Sequence, residues 1–294
     1  MKNIETIKTV VFPVAGLGSR FLPATKSVAK ELFPILNIPL IEYAVDEAKK
    51  SGIEKFIFVI SREKLQVARH FETNTKLERE LKSKNKKFLE VITKNRIPKN
   101  NIFKVFQERP LGLGHAIWCA RKYIDGPFAV VLPDDLVFSK TPCIQQLVDI
   151  YKKHKTSVIG IQEVSMDRVN QYGIIKTDNQ KTNDIMTIQD IVEKPSIKRA
   201  PSNLAIIGRY VLSYNIIEEL SKKQTGVGGE IQLTDALKNS INTSRVLGYK
   251  FEGKRFDCGN VMGAIEAQVF AALKEDLYKK DMTKILQKFL KKDY

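Results

Sequence analysis

The chain has 294 residues, 43% of them hydrophobic, with 49 Lys and Arg against 33 Asp and Glu and a formal net charge of +16. That length and composition suit one large α/β domain or two small ones with a sizeable core, and the positive field would attract phosphorylated substrates or nucleic acid without choosing between them. Three widely separated cysteines (Cys119, Cys143, Cys258) without CxxC spacing, only three histidines (His70, His115, His154), no apolar signal core and no apolar run near the roughly 18 residues of a membrane span argue against a disulfide framework, a zinc site, secretion and a membrane partner, so a cytoplasmic protein is expected.

The first strand is predicted at residues 9–14 (TVVFPV), buried by its β-branched content. AGLGSRFLPATKSVAKELFP follows directly at residues 15–34. Gly16 and Gly18 let the backbone turn tightly with its N–H groups facing an anion, and Arg20, Lys26 and Lys30 follow within reach of phosphate oxygens. The spacing fits neither a Walker loop, GxxxxGK[ST], nor a dinucleotide fingerprint, which needs a third glycine where this chain has Phe21. Pro23 argues against a helix running straight on from the glycines. Taken alone, the segment reads equally as a triphosphate loop of a third kind or as an ordinary turn with solvated cations.

Next come a helix near residues 39–51, a strand at 56–61, a charged helical stretch near 63–89 whose lysines read as a solvated face, and a strand at 103–107. That strand delivers Gln107 to the turn ERPLGLGHA. The glutamine amide carries a donor and an acceptor, so with a backbone N–H or C=O beside it the edge of a pyrimidine can be matched and a purine excluded by size; a plain glycine-bearing loop is the other reading. His115 reads as the start of a helix over 114–123, not as a catalyst. The apolar run 128–132 ends in Pro133-Asp134-Asp135. Two carboxylates at the C-terminal end of a buried strand sit where ligands bind in open α/β sheets, and oxygen ligands there suit Mg²⁺. Side-chain alternation lets one face the substrate, so Asp134 is taken as the metal ligand with Asp135 supporting it; a turn and helix cap is the alternative.

This alternation predicts a doubly wound, mostly parallel sheet. Strands at 157–164, 173–177, 185–192 and 204–212, with fewer helices between them, predict a mixed extension holding a second substrate. Gln171-Tyr172-Gly173, Glu193-Lys194-Pro195 and Gly228-Gly229-Glu230-Ile231-Gln232 look like parts of a sugar phosphate site there, and Asp257 in RFDCGN is offered as a second metal carboxylate. One helix is predicted over 261–290, with Phe270, Leu273, Leu277, Ile285 and Phe289 at helical spacing; docking on its own core or on another subunit explains it equally. With no repeat or linker, a single catalytic domain is expected over 1–294, with a core at 9–270 and a C-terminal helical segment at 271–294.

The order of these pieces, the glycine loop with Arg20 and Lys30, then PLGLGHA, PDD, YG, EKP, GGEIQLTDA and FDCGN, resembles the sugar nucleotidyltransferase family over residues 10–270. Ala29 stands where many members carry a proline. GLGSRFLPATK, PLGLGHA and GGEIQLTDAL resemble the uridylyl branch more than the thymidylyl or cytidylyl branches. The resemblance implies a Rossmann-like fold, α/β with a central mixed, mostly parallel sheet flanked by helices. It implies transfer of a uridylyl group from UTP to α-D-glucose 1-phosphate, dependence on Mg²⁺, and a homo-oligomer, dimer or tetramer. The implied roles put the backbone of Ala15, Gly16, Leu17 and Gly18 on the nucleotide, Arg20 and Lys30 on the triphosphate, and Gln107 and Gly112 on uracil. Asp134 and Asp257 would hold the metal, with Asp135 beside the nucleotide; Gly173, Glu193, Lys194, Gly208 and Glu230 would meet the glucose phosphate. Arg20, Lys30 and Lys194 are the expected catalytic cations. A thymidylyltransferase of the same fold remains an alternative. So does a basic nucleic-acid-binding protein, but the scarcity of aromatic-basic interleaving argues against it, and no nucleic-acid partner is expected.

Overall fold

The computed structural model describes residues 6–178 and 184–291. Its strands are β1 (Thr9–Pro13), β2 (Pro34–Ile35), β3 (Ile38–Pro39), β4 (Lys55–Ile60), β5 (Ile102–Phe106), β6 (Phe128–Val131), β7 (Asp135–Phe138), β8 (Ser157–Glu163), β9 (Gly173–Thr177), β10 (Ile185–Glu193), β11 (Leu204–Leu212), β12 (Val246–Lys250) and β13 (Lys254–Asp257). The α-helices are α1 (Leu40–Lys50), α2 (Leu65–Arg69), α3 (Thr75–Lys84), α4 (Lys86–Thr93), α5 (Leu113–Cys119), α6 (Cys143–His154), α7 (Ile216–Ser221), α8 (Leu233–Ile241), α9 (Val261–Lys274) and α10 (Asp276–Leu290).

The central strands are apolar on both faces because helices cover both. Along β1, Val10 and Phe12 enter one core and Val11 the other; along β4, Phe56, Phe58 and Ile60 go one way, Ile57 and Val59 the other. The first core is closed by Ile41 and Val45 of α1 and Ile144 and Leu147 of α6, with Phe12, Phe58 and Phe71 in a row of stacked rings. The second is closed by Ala116 and Ile117 of α5 together with α7 and α8.

The main sheet runs β5-β4-β1-β6-β11-β8-β12-β10-β9. Its first four strands are mutually parallel, so their C-terminal ends share one edge. Beyond them the sheet is mixed: β11 runs against β6 and β8, β12 runs with β8, and β10 runs against β12 and β9. The α/β class and the mixed sheet flanked by helices are as expected, but the sheet is not mostly parallel: parallel pairing is confined to the first four strands and β8–β12, and the described pairings of β11 with β6, β8 and β9 and of β10 with β12 and β9 are antiparallel.

Three local differences from expectation have physical causes. The stretch near 63–89 is several helices, because Asn74 and Asn85 act as N-caps, each side chain accepting the backbone N–H three residues on (Leu77 and Phe88). The helix at 261–290 is two, broken where Glu275 takes an extended conformation. Of these, α9 docks on its own chain, Phe270 packing against Phe138 and Phe256, while α10 buries no residue fully. Third, β7 and β13 form a separate two-stranded ribbon that places Asp135 opposite Asp257.

One buried ion pair ties the layers together. The register of β11 on β8 shifts between Ile206 and Tyr210, and in that irregular stretch Arg209, 1% exposed, turns its guanidinium onto Glu47 of α1. Nε to Oε1 is 2.9 Å and Nη2 to Oε2 is 2.8 Å, and Glu47 Oε1 also accepts the N–H of Ile144 at the start of α6. Removing one partner of such a pair costs about 3–5 kcal/mol, since it strands a buried charge.

Candidate active site

The site lies at the shared C-terminal edge of the parallel strands, where open α/β sheets bind ligands. β1 runs into the glycine loop, and Gly18, at φ 69°, turns the chain in the left-handed region. The Thr25 hydroxyl donates to Gly18 O at 2.9 Å and closes the loop. Ala15 is buried, whereas Gly16, Leu17 and Arg20 are exposed, so the loop offers backbone and a guanidinium outward. Lys30 is fixed from behind: the next residue, Glu31, is buried and paired with Lys64 at 2.8 Å. That leaves the Lys30 ammonium to reach Asp134 Oδ2 at 2.5 Å. Burial alone would lower the Lys30 pKa, but Asp134 and Glu31 outweigh it and raise it; burial alone would raise that of Asp134, but Lys30 holds it below the usual range. Both are charged at neutral pH.

The β7–β13 ribbon sets the second carboxylate. Asp257 accepts from the Gly259 N–H (3.1 Å) through Oδ1 and from the Tyr172 hydroxyl (3.1 Å) through Oδ2. Gly259 leaves space here for side-chain ends: a β-carbon on it would stand 2.9 Å from Asp134 Oδ2 and 3.0 Å from Asp257 Oδ1, with Arg20 Nη1 at 3.6 Å. Two carboxylate oxygens, one from the β6–β7 turn and one from β13, and one guanidinium therefore converge on one point. Asp135 is different. Its Oδ2 accepts the Gly208 N–H at 2.7 Å and its Oδ1 accepts Arg255 Nε at 2.6 Å, so both oxygens are engaged within the protein. Burial, with Asp134 and Asp257 nearby, pushes its pKa up against the pull of Arg255.

The turn after β5 is pinned independently. Gln107, 6% exposed, follows β5; its Nε2 donates to Gly112 O at 3.1 Å and lies 2.9 Å from His115 Nδ1. Gly112 has φ 99° and no room for a β-carbon, which would stand 2.8 Å from Glu230 Cβ and 2.9 Å from Ile231 O. Reciprocal bonds, Gly114 N to Ile231 O (2.9 Å) and Ile231 N to Leu111 O (2.8 Å), lock the turn to the segment carrying Glu230.

A cavity of about 200 Å³ opens between these parts, walled by Arg20, Asp134, Gly173, Glu193, Thr234 and Asp257 among others. Gly173 and Glu193 are register partners on β9 and β10, and Glu193 Oε2 accepts the Thr234 hydroxyl at 2.9 Å.

The structure thus brings Arg20, Asp134, Asp135, Gly173, Glu193, Gly208 and Asp257 to one cavity, with Lys30 bonded to its wall. Two residues expected at the sugar phosphate, Glu230 and Lys194, do not line this cavity, and Gly208 lines it with its N–H already engaged. Glu230 packs on Gly112 of the turn after β5, its Oε2 accepting from Gln232 at 3.0 Å. Gly208 spends its N–H on Asp135. Lys194 is on the rim, its ammonium 3.6 Å from Glu193 Oε1 with about half of the side chain exposed, and only its backbone N–H is tied down, to Tyr172 O at 3.0 Å. Sequence reasoning missed Arg255 and Tyr172 as framework. Arg255 and Asp257 are two apart on an extended strand and so share a face, a signal that was present in RFDCGN. Thr234, inside GGEIQLTDA, gave no separate signal.

A family model, nucleotidyl transferase, matches residues 10–274. A UTP–glucose-1-phosphate uridylyltransferase of Staphylococcus saprophyticus is 43% identical over 282 residues, covering 96% of this chain and 98% of that protein. Among solved structures, a UTP-bound UGPase from Acinetobacter baumannii superposes with a TM-score of 0.87 at 37% identity, covering 96% of this chain and 99% of that one. A UDP-glucose pyrophosphorylase complexed with UDP-glucose superposes with a TM-score of 0.82 at 40% identity, over 92% and 100%.

Proposed function

The chain belongs to the nucleotidyl transferase family, and on that premise we propose that it is the enzyme that transfers a uridylyl group from UTP to α-D-glucose 1-phosphate, releasing pyrophosphate and UDP-glucose. The observation that carries this reading is the convergence of Asp134, Asp257 and Arg20 in the cavity that Gly173, Glu193 and Thr234 also wall. A nucleotide on the turn and a sugar phosphate in the cavity would meet there.

The chemistry follows from charge. A phosphate oxygen of glucose 1-phosphate attacks the α-phosphorus of UTP as the bond to pyrophosphate breaks, and the electron pair leaves with the pyrophosphate. Like charges about 4 Å apart repel by roughly 4 kcal/mol at an effective dielectric near 20, so each cation set against them offsets an amount of that order. Alignment contributes up to about 7–11 kcal/mol where it is near ideal. In this assignment the loop backbone at Ala15, Gly16, Leu17 and Gly18 holds the nucleotide, Arg20 and Lys30 stabilise the leaving pyrophosphate, and Lys194 swings from the rim onto the attacking phosphate. Glu193, beside Gly173, takes a sugar hydroxyl. Asp135 and Gly208 hold the wall, and Glu230 backs Gly112 on the uracil side. The nucleophile is already ionised at neutral pH, so no general base is needed.

Asp134 and Asp257 suit Mg²⁺, which takes one or two carboxylates and completes its shell with substrate phosphates and water. No group of three or more metal-ligating side chains occurs among the described residues, in keeping with a site that substrate must complete. When bound, the ion would supply electrophilic stabilisation of charge on the α-phosphate. We further propose one catalytic domain over the whole chain, a cytoplasmic location, supported by three free cysteines, and a homo-oligomer. The exposed apolar residues of α10, Leu277 at 78% and Leu290 at 86%, support the last.

The test is pyrophosphate release across four nucleoside triphosphates and several sugar phosphates, with Gln107→Ala alongside. UTP with glucose 1-phosphate is expected to turn over fastest. Gln107→Ala should raise the KM for UTP and narrow the preference over CTP by about 1–3 kcal/mol, the cost of an unpaired base edge. A preference for dTTP would move the enzyme to the thymidylyl branch; unchanged selectivity in the variant would put the base pocket elsewhere.

A further inference from the structure

The amide of Gln107 is more constrained than a base reader needs to be. One of its terminal atoms lies 3.1 Å from Gly112 O, and a carbonyl oxygen only accepts, so that atom is the nitrogen. The same nitrogen lies 2.9 Å from His115 Nδ1, which makes Nδ1 the acceptor and puts the neutral ring's proton on Nε2. Both N–H groups of the amide are then spent inside the protein. Oε1 is the atom left to meet a base.

We propose that His115 is a positioning residue for base selection: by taking the second N–H of Gln107 it holds the amide with Oε1 forward, so that the site accepts the N3–H of uracil and turns away cytosine, whose N3 presents a lone pair. The inference rests on Gln107 reading the base, as proposed above. Without His115 one amide N–H is unclaimed, the amide offers a donor as well as an acceptor, and a small rotation lets it serve cytosine. The imidazole is itself held in place. Its ring stacks on Trp118 with centroids 6.1 Å apart, and Cys119 Sγ lies 3.8 Å from both ring nitrogens. Burial, with the charge of Lys223, pushes the His115 pKa down, which keeps the Nδ1 lone pair available at neutral pH. Thymine shows the same edge as uracil at N3, so His115 acts on UTP against CTP and not on UTP against dTTP.

That asymmetry is the test. kcat/KM for UTP, CTP and dTTP would be measured on the full chain as wild type, Gln107→Ala, His115→Leu, His115→Phe and His115→Asn. His115→Leu and His115→Phe, the latter keeping a ring against Trp118, are expected to lower the UTP:CTP ratio by about tenfold, the weight of one oriented hydrogen bond, with the UTP:dTTP ratio unchanged. His115→Asn, whose Oδ1 can accept in place of Nδ1, should retain the ratio. An unchanged UTP:CTP ratio in the Leu and Phe variants, or a fall of both ratios together, overturns the inference. If Gln107→Ala narrows the ratio and the His115 variants do not, this inference alone fails; if Gln107→Ala also leaves it unchanged, the base reading fails with it. Should neither large substitution fold, the ring's ¹⁵N chemical shifts in the wild type decide: the Nε2–H tautomer is expected, and the Nδ1–H tautomer contradicts the proposal.

Discussion

Asp134→Asn and Asp257→Asn are each expected to lower kcat by about three orders of magnitude or more while the protein still folds, as loss of a group that acts on transition-state charge does. The substitutions keep shape and remove charge. Asp134 would lose its hold on Lys30 and on a cation; Asp257 keeps an oxygen for the Gly259 N–H and a partner for the Tyr172 hydroxyl. Neither carboxylate lies in a hydrophobic core, so thermal melts should move little. Assays in Mg²⁺ and in EDTA check this, and full activity of either variant in EDTA would sink the metal assignment.

The second large effect separates the two substrates. Lys30 sits on the glycine loop, bonded to Asp134 and braced by the buried Glu31–Lys64 pair, whereas Lys194 stands on the rim next to Glu193. Lys30→Ala should weaken UTP and pyrophosphate by about tenfold or more, with the sugar phosphate affected little at saturating nucleotide. Lys194→Ala should leave UTP binding nearly untouched, raise the KM for glucose 1-phosphate and lower kcat by about ten- to a hundredfold, because the attacking oxygen is both less shielded and worse aligned. Calorimetry measures UTP affinity for both without turnover. A loss for Lys194→Ala equal to or larger than that for Lys30→Ala would assign Lys194 to the nucleotide.

Local patterns told most where the physics is local. β1, β4 and β6 read as strands because a sheet covered on both faces needs continuous apolar runs, and the strings that follow β1, β5 and β6 named the loop, the turn and the aspartates. Amphipathic α6 carries its own local signal at residues 143–154, apolar residues at helical spacing. What the sequence hid is long-range. β7 and β13 are four residues each, too short for periodicity, and Arg255 meets Asp135 across 120 positions. Arg209 and Glu47 meet across 162, at an irregularity in β11 that no local pattern announces. The helical stretch near 63–89 misled because Asn74 and Asn85 fit a polar face as well as a cap until the backbone is seen. Glu230 reads as a sugar-site residue by the company of its glycines, and the close approach of its Cβ to Gly112 is a long-range contact that no local pattern announces.

The central claim is a single in-line displacement with no protein nucleophile. Cys258 follows Asp257 in the chain and gives its N–H to Asp134 O at 2.7 Å, but it is a poor source of thiolate: burial first, then the charges of Asp134 and Asp257, push its thiol up to about 12. Cys143 is buried and raised well above the ordinary thiol value, and Cys119 is raised as well. The stereochemical course at the α-phosphorus, followed with UTP carrying a chiral α-phosphorothioate, tests this most directly. One displacement inverts the configuration, which is the result expected here; retention would require a covalent uridylyl-protein intermediate and would contradict the mechanism.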